Sequence, residues 1–279
     1  MYRLTARTAL ALSLVGIAAC AAARTVTPAT TPPASVTESR ARLAASPRHG
    51  EWVMVSAGED SVRAWIVYPE RTTRAPVVVV VHEVYGLTPW IRSVADQLAA
   101  DGFIAIAPDL LTMKDLPNPT DSVPGDIAMA AIRTLDPADV HRQISAVASY
   151  AMAQPAALQR YGIVGFCWGG TVSFEHAIRS PGLGASVVYY GSSPPSGSLG
   201  TINAPVLGLY GGSDARVNAT IPAADSTMKA LNKTFTHFIY DGAGHGFLRN
   251  QAGQDGANLV ATQQAWPATI SWFRRHLGA

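Results

Sequence analysis

Tyr161-Gly162-Ile163-Val164-Gly165-Phe166-Cys167-Trp168-Gly169-Gly170 is the stretch on which the reading of this chain turns. Tyr161 to Val164 is an apolar run of strand type, and Thr171 to Arg179 has the composition of a helix. Between them lies a sharp, glycine-flanked turn. Such a strand–turn–helix unit lifts the central side chain of the turn above the sheet, and here that side chain is Cys167. The glycines are needed because larger neighbours would collide in a strained turn. A sulfur at the end of a strand and the start of a helix is well placed for thiolate chemistry. The pattern is G-x-S-x-G with cysteine for serine, which makes Cys167 the candidate nucleophile.

Two further segments supply partners for it. Asp214 follows the apolar run Val206 to Tyr210 in Gly211-Gly212-Ser213-Asp214. His245 follows the run Phe235 to Tyr240 in Asp241-Gly242-Ala243-Gly244-His245-Gly246-Phe247. Each sits just past the C-terminal end of an expected strand, where open α/β sheets place their ligands. The chain order is nucleophile, acid, base. Asp214 would orient the imidazole, and His245 would act as base or hold the thiolate as an ion pair. Read singly, Asp214 could be a turn residue, His245 a loop residue and Cys167 a small buried apolar side chain.

Taken together, Gly165–Gly170, Gly211–Asp214 and Asp241–Phe247 resemble the dienelactone hydrolase family, from about Glu51 to the C-terminus. His82-Glu83-Val84-Tyr85-Gly86-Leu87, after the valine run Val77 to Val81, is a fourth match and Arg249 a fifth. The resemblance implies an α/β-hydrolase fold, a mostly parallel sheet with helices on both faces. It implies a Cys167–Asp214–His245 triad acting on a small-molecule ester or lactone through a thioester. It further implies that Glu83 contacts the resting nucleophile and that the Val84 N–H, with that of Trp168, forms an oxyanion hole. Arg249 would bind a substrate carboxylate, and Tyr85 and Trp168 would line the pocket. The family's second carboxylate-binding arginine has no motif here; Arg133 and Arg142 lie in the right region without one. Other readings are a thioesterase or another acyl hydrolase, and a catalytically idle binding protein on the same fold.

The alternation of strands and helices supports a parallel sheet independently of that resemblance. Trp52 to Val55 and Val62 to Tyr68 alternate and form an expected edge hairpin; Val77 to Val81 is a strand buried on both faces. Helices are expected at Trp90–Ala100, Asp139–Ala153, Pro222–Leu231 and Leu259–Leu277, with strands at Phe103–Ala107 and Ser186–Tyr190. Residues 110–125, broken by Pro117, Pro119 and Pro124, read as a loop bordering the site. His82 is a secondary candidate beside the oxyanion strand, whereas His237 and His276 read as structural.

Hydrophobic residues make up 48% of the 279 and charged residues 14%, which argues for a packed core. No basic run supports nucleic-acid binding. No His/Cys spacing suggests a metal, and no glycine-rich phosphate loop suggests a nucleotide, so no cofactor is expected.

Arg3, Arg7 and the apolar stretch Ala9 to Ala19 read as an export signal over residues 1–19. Ile17-Ala18-Ala19-Cys20 resembles a bacterial lipobox, so the expected product is periplasmic and lipid-anchored through Cys20. Cleavage after Ala19 or Ala23 would instead give a soluble form. Residues 20–48 read as a flexible tether and 49–279 as the catalytic domain, expected as a monomer. With Cys20 lipidated or removed, Cys167 has no disulfide partner. Export also argues for an ester other than a cytoplasmic pathway lactone.

Overall fold

The computed structural model describes Met1, residues 30–114, Leu116 and residues 123–278. Strands β1 (Gly50–Ala57) and β2 (Asp60–Val67) form the expected antiparallel hairpin, turned at Gly58, whose φ is +75°. They are followed by β3 (Ala75–Val81), β4 (Ile104–Pro108), β5 (Ala157–Phe166), β6 (Ala185–Tyr189), β7 (Val206–Gly211) and β8 (Phe235–Tyr240). The sheet order is β1-β2-β4-β3-β5-β6-β7-β8. The β1–β2 and β2–β4 pairings are antiparallel and all later ones are parallel. This is the α/β-hydrolase fold.

Helices α1 (Ser39–Ala44), α2 (Pro89–Ala100), α3 (Gly125–Ile132) and α4 (Pro137–Met152) are joined by α5 (Trp168–Arg179), α6 (Ala215–Asn218), α7 (Ile221–Ala230) and α8 (Ala257–Leu277). They cover both faces of the sheet. The valine run of β3 shows why its sequence is continuous rather than alternating. Val77, Val79 and Val81 pack with Ile144 and Val147 of α4, whereas Val78 and Val80 pack with Trp90 and Val94 of α2 and Ile270 of α8. Every residue of that strand is buried, and each of its valines contributes about 1.5–3 kcal/mol of transfer free energy.

The stretch expected as a tether is folded from about residue 31 onward. α1 packs on α2, and Trp90 Nε1 donates to Ala34 O at 3.1 Å. Gln251 Nε2 donates to Pro33 O at 2.9 Å, and Arg48 makes a two-pronged bond to Asp96 at 3.0 and 2.5 Å. The composition of this stretch is polar and small, so nothing periodic marked it; its order comes from partners more than 40 residues away. The export signal, Cys20 and the first part of the tether lie outside the described residues, Met1 apart. Among the described residues no helix is long and apolar enough to cross a membrane.

The expected loop 110–125 begins with a 3₁₀ turn at Thr112–Lys114; residues 115 and 117–122 lie outside the described part. α3 follows at its end and was not legible as a helix.

Candidate active site

β5 delivers Cys167 at a backbone conformation of φ 56°, ψ −116°, and α5 starts at the next residue. A non-glycine residue in such a region costs roughly 1–3 kcal/mol. The surrounding structure holds it there: Cys167 N donates to Tyr189 O at 3.0 Å, and Thr171 N donates to Cys167 O at 3.2 Å. The flanking glycines are dictated by contact. A Cβ on Gly165 would lie 1.8 Å from Gly169 O, and one on Gly169 would lie 2.4 Å from His82 O.

The thiol is not poised as a thiolate in this state, contrary to what its place at a helix start suggests. Burial, and then the negative charge of Glu83, push it up to about 11; the Trp168 N–H and the Arg216 charge act the other way but are outweighed. Desolvation of an ion costs more here than one helix terminus returns.

Asp214 and His245 come together as the strand ends bring them. His245 Nδ1 and Asp214 Oδ2 are hydrogen-bonded at 2.5 Å. Asp214 is fixed from its other side, because it caps α6 by accepting from Val217 N at 3.4 Å. The His245 ring packs on Tyr190 with centroids 5.2 Å apart.

Tyr190 joins this pair to the nucleophile. Val84, Cys167, Trp168, Thr171, Tyr190, Ser192 and Arg216 line one cavity of about 280 Å³. A larger cavity of about 560 Å³ lies elsewhere, between Pro32–Arg42 and α8, and contains no nucleophile. Chemistry, not size, therefore marks the site.

Glu83 is buried and lies 3.1 Å from Arg249 Nε, without the alignment of a hydrogen bond. Burial pushes its carboxyl up to about 7, and the Arg249 charge only partly opposes this. The Arg249 guanidinium also sits over the Tyr85 ring, 4.9 Å from its centroid. Arg249 and Tyr85 thus form one group with Glu83, set beside the Val84 backbone.

His82 braces this corner. Its Nδ1 donates to Glu83 O at 2.7 Å, its Nε2 accepts from Leu110 N at 3.2 Å, and its ring stacks on Trp168. Burial lowers it to about 4, so it is neutral with both nitrogens engaged. It positions backbone rather than moving protons.

Four residues that line the cavity were not among the expected site residues: Thr171, Tyr190, Ser192 and Arg216. Tyr190 was the end of an expected strand; it has φ +40°, is 1% exposed, and its hydroxyl has no hydrogen-bond partner. Burial raises that phenol well above its ordinary value, so it stays protonated. Arg216 follows Asp214 by two residues and brings a positive charge to the wall. A strand-end tyrosine and a charge two residues past the acid were the only hints. Arg133 lies at the end of α3, and Arg142 pairs with Asp60 and Asp139; neither lines the Cys167 cavity. Among the described residues no group of three His, Cys, Asp or Glu side chains could hold a metal.

Comparison with known proteins places this geometry. Residues 62–277 match the model of the dienelactone hydrolase family. A protein of Salmonella typhimurium named "Putative carboxymethylenebutenolidase" is 31% identical over 231 residues, covering 78% of this chain and 84% of that one. A Bradyrhizobium protein named "Probable 2-oxo-3-(5-oxofuran-2-ylidene)propanoate lactonase" is 31% identical over 241 residues, covering 81% and 94%. A crystal structure of a dienelactone hydrolase homologue from Klebsiella pneumoniae superposes with a TM-score of 0.71 at 27% identity, covering 81% of this chain and 98% of that one. The chain belongs to the dienelactone hydrolase family.

Proposed function

We propose that this hydrolase cleaves carboxylic esters or lactones by attack of Cys167, through a thioester intermediate. The observation that carries this reading is the strained Cys167 turn opening into one cavity with Trp168 and Val84, while the Asp214–His245 pair reaches that cavity through Tyr190.

In the resting site burial, and then the Glu83 charge, keep the thiol protonated. An anionic substrate group arriving at Arg249 competes with Glu83 for the guanidinium. As the cavity fills and this balance shifts, His245 takes the thiol proton. The thiolate sulfur bonds to the acyl carbon, and the carbonyl electrons move onto oxygen. The N–H groups of Trp168 and Val84 receive that oxyanion; each such donor is typically worth about 10²–10³ in rate. Collapse breaks the acyl–alkoxy bond, and His245 returns the proton to the leaving oxygen. In a lactone the leaving oxygen stays on the same molecule. Water, deprotonated by His245, then attacks the thioester, and the sulfur departs to take back its proton. Asp214 keeps the imidazole in the tautomer that both steps need.

The test is hydrolysis of short p-nitrophenyl esters, a thioester and a dienelactone by wild type and Cys167→Ala. Loss of turnover in the variant, with an acyl adduct on Cys167 by mass spectrometry in wild type, supports the reading. Turnover that survives Cys167→Ala refutes it. A preference for the thioester would favour the thioesterase reading. Export and anchoring through Cys20 are proposed on the Arg3–Cys20 sequence alone, and metabolic labelling with a fatty acid tests them.

A further inference from the structure

β8 is the last strand of the sheet, so one of its edges has no neighbouring strand among the described residues. Its pairing with β7 fixes which backbone groups are left over. The carbonyls of Thr234 and Tyr240 accept from Val206 N and Gly212 N of the β7 side. By strand alternation Thr236 and Phe238 also point their backbone groups at β7, whereas Phe235, His237 and Ile239 point theirs outward.

That edge has none of the usual guards. Between Phe235 and Tyr240 there is no proline, lysine or bulge, and both faces carry exposed apolar side chains. Phe238 is 46% exposed on the α8 face, where Thr236, Phe238, Ala268 and Trp272 line an open cavity of about 220 Å³. Ile239 is 51% exposed on the opposite face.

We propose that β8 pairs with β8 of a second copy of this chain, antiparallel about a two-fold axis at His237, rather than the chain acting as a monomer. Three features select this partner and this register. First, a two-fold normal to the sheet keeps each face on its own side only when it passes through a residue. Second, an axis at His237 sets Phe235 opposite Ile239 and His237 opposite itself, so every outward backbone group meets a complementary one. Third, the same axis sets Lys233, just before the strand, opposite Asp241, just after it, at both ends of the ladder. Moving the axis to Phe238 keeps the faces matched but sets Asp241 against Phe235 and leaves Lys233 without the acid. The charge pattern therefore complements itself in one register only. The paired edge ends at Asp241, four residues before His245, so the two active-site loops would flank the seam.

The experiment is sedimentation equilibrium across the micromolar range on the full chain carrying Cys20→Ala, so that no acyl group drives association. Circular dichroism melts establish that each variant folds. A dimer is expected. Ile239→Lys should leave it monomeric, because two like charges would meet Phe235 on either side of the axis. Lys233→Asp and Asp241→Lys should each weaken association by on the order of tenfold, and the double exchange should restore it. A folded wild type that stays monomeric overturns the proposal. So does a dimer indifferent to Ile239→Lys, or a double exchange no tighter than the single variants.

Discussion

Glu83 lies 3.1 Å from Arg249 Nε, and the same carboxylate is the largest charge effect raising the Cys167 thiol. One acid thus answers to two partners, a cation that would hold substrate and the sulfur that would attack it.

Removing that acid should release the thiol. In Glu83→Gln the thiol should titrate below the value of about 11 seen with Glu83 present, and alkylation by iodoacetamide at pH 8 should quicken several-fold. Arg216→Gln should act in the opposite direction, since the Arg216 charge favours the thiolate. Labelling rate against pH reads both. Two variants that shift the profile the same way would show that neither charge reaches the sulfur as described.

Stability should carry the signature of the same group. The Glu83 carboxyl is raised from 4.5 to about 7 in the folded chain. Its contribution is therefore fully present below 4.5 and lost as pH rises through 7. Glutamine does not titrate, so wild type should lose stability relative to Glu83→Gln between those values. The loss is up to about 3 kcal/mol and level above pH 8. Urea unfolding of both proteins at pH 4.5 and pH 8 measures it. A pH-independent difference would show that folding leaves the Glu83 carboxyl unshifted.

Asp214 serves both the imidazole and α6, and two substitutions separate these duties. Asp214→Asn keeps a helix cap but presents the wrong group to His245 Nδ1. Turnover should fall on the order of 10³–10⁴-fold with little change in stability. Asp214→Ala should lose the cap as well, at about 1 kcal/mol. Equal stability for all three proteins would mean that the 3.4 Å bond to Val217 N contributes nothing.

Gly165→Ala should be among the most damaging single methyl additions, because its Cβ would meet backbone 1.8 Å away. A loss above about 3 kcal/mol is expected, or failure to fold. Gly182→Ala, whose Cβ would meet nothing within 4 Å, is the matched control. Thermal melts that do not distinguish the two would refute the packing of the Cys167 turn.

The sheet was legible because its strands are long apolar runs on both faces, as β3 shows, and β8 matches its expected span residue for residue. Asp214, His245 and Cys167 were legible because each follows such a run. α1 and α3 were not, since Ser39–Ala44 and Gly125–Ile132 carry little periodicity and take their order from neighbours. The thiol's neutrality was legible in part. The resemblance puts Glu83 against the resting nucleophile, where its charge opposes the thiolate, but no motif shows the burial that is the larger cause. Tyr190 depends on a positive φ that no local pattern of residues announces.

The strap that runs from residue 30 to α1 meets the site at Val36, whose N donates to Arg249 O at 3.0 Å. Arg249 is the residue that holds Glu83. In mechanical terms the strap is a lever with its short arm in the active site. Tension on the chain before residue 30 is borne first by the bonds at Pro33 and Ala34; once these yield it passes through Val36 to the backbone of Arg249, and so to the position of its guanidinium. Cutting the chain after Val36 would remove that arm, leaving the Arg249 carbonyl to water and the Glu83 pair without its outer support.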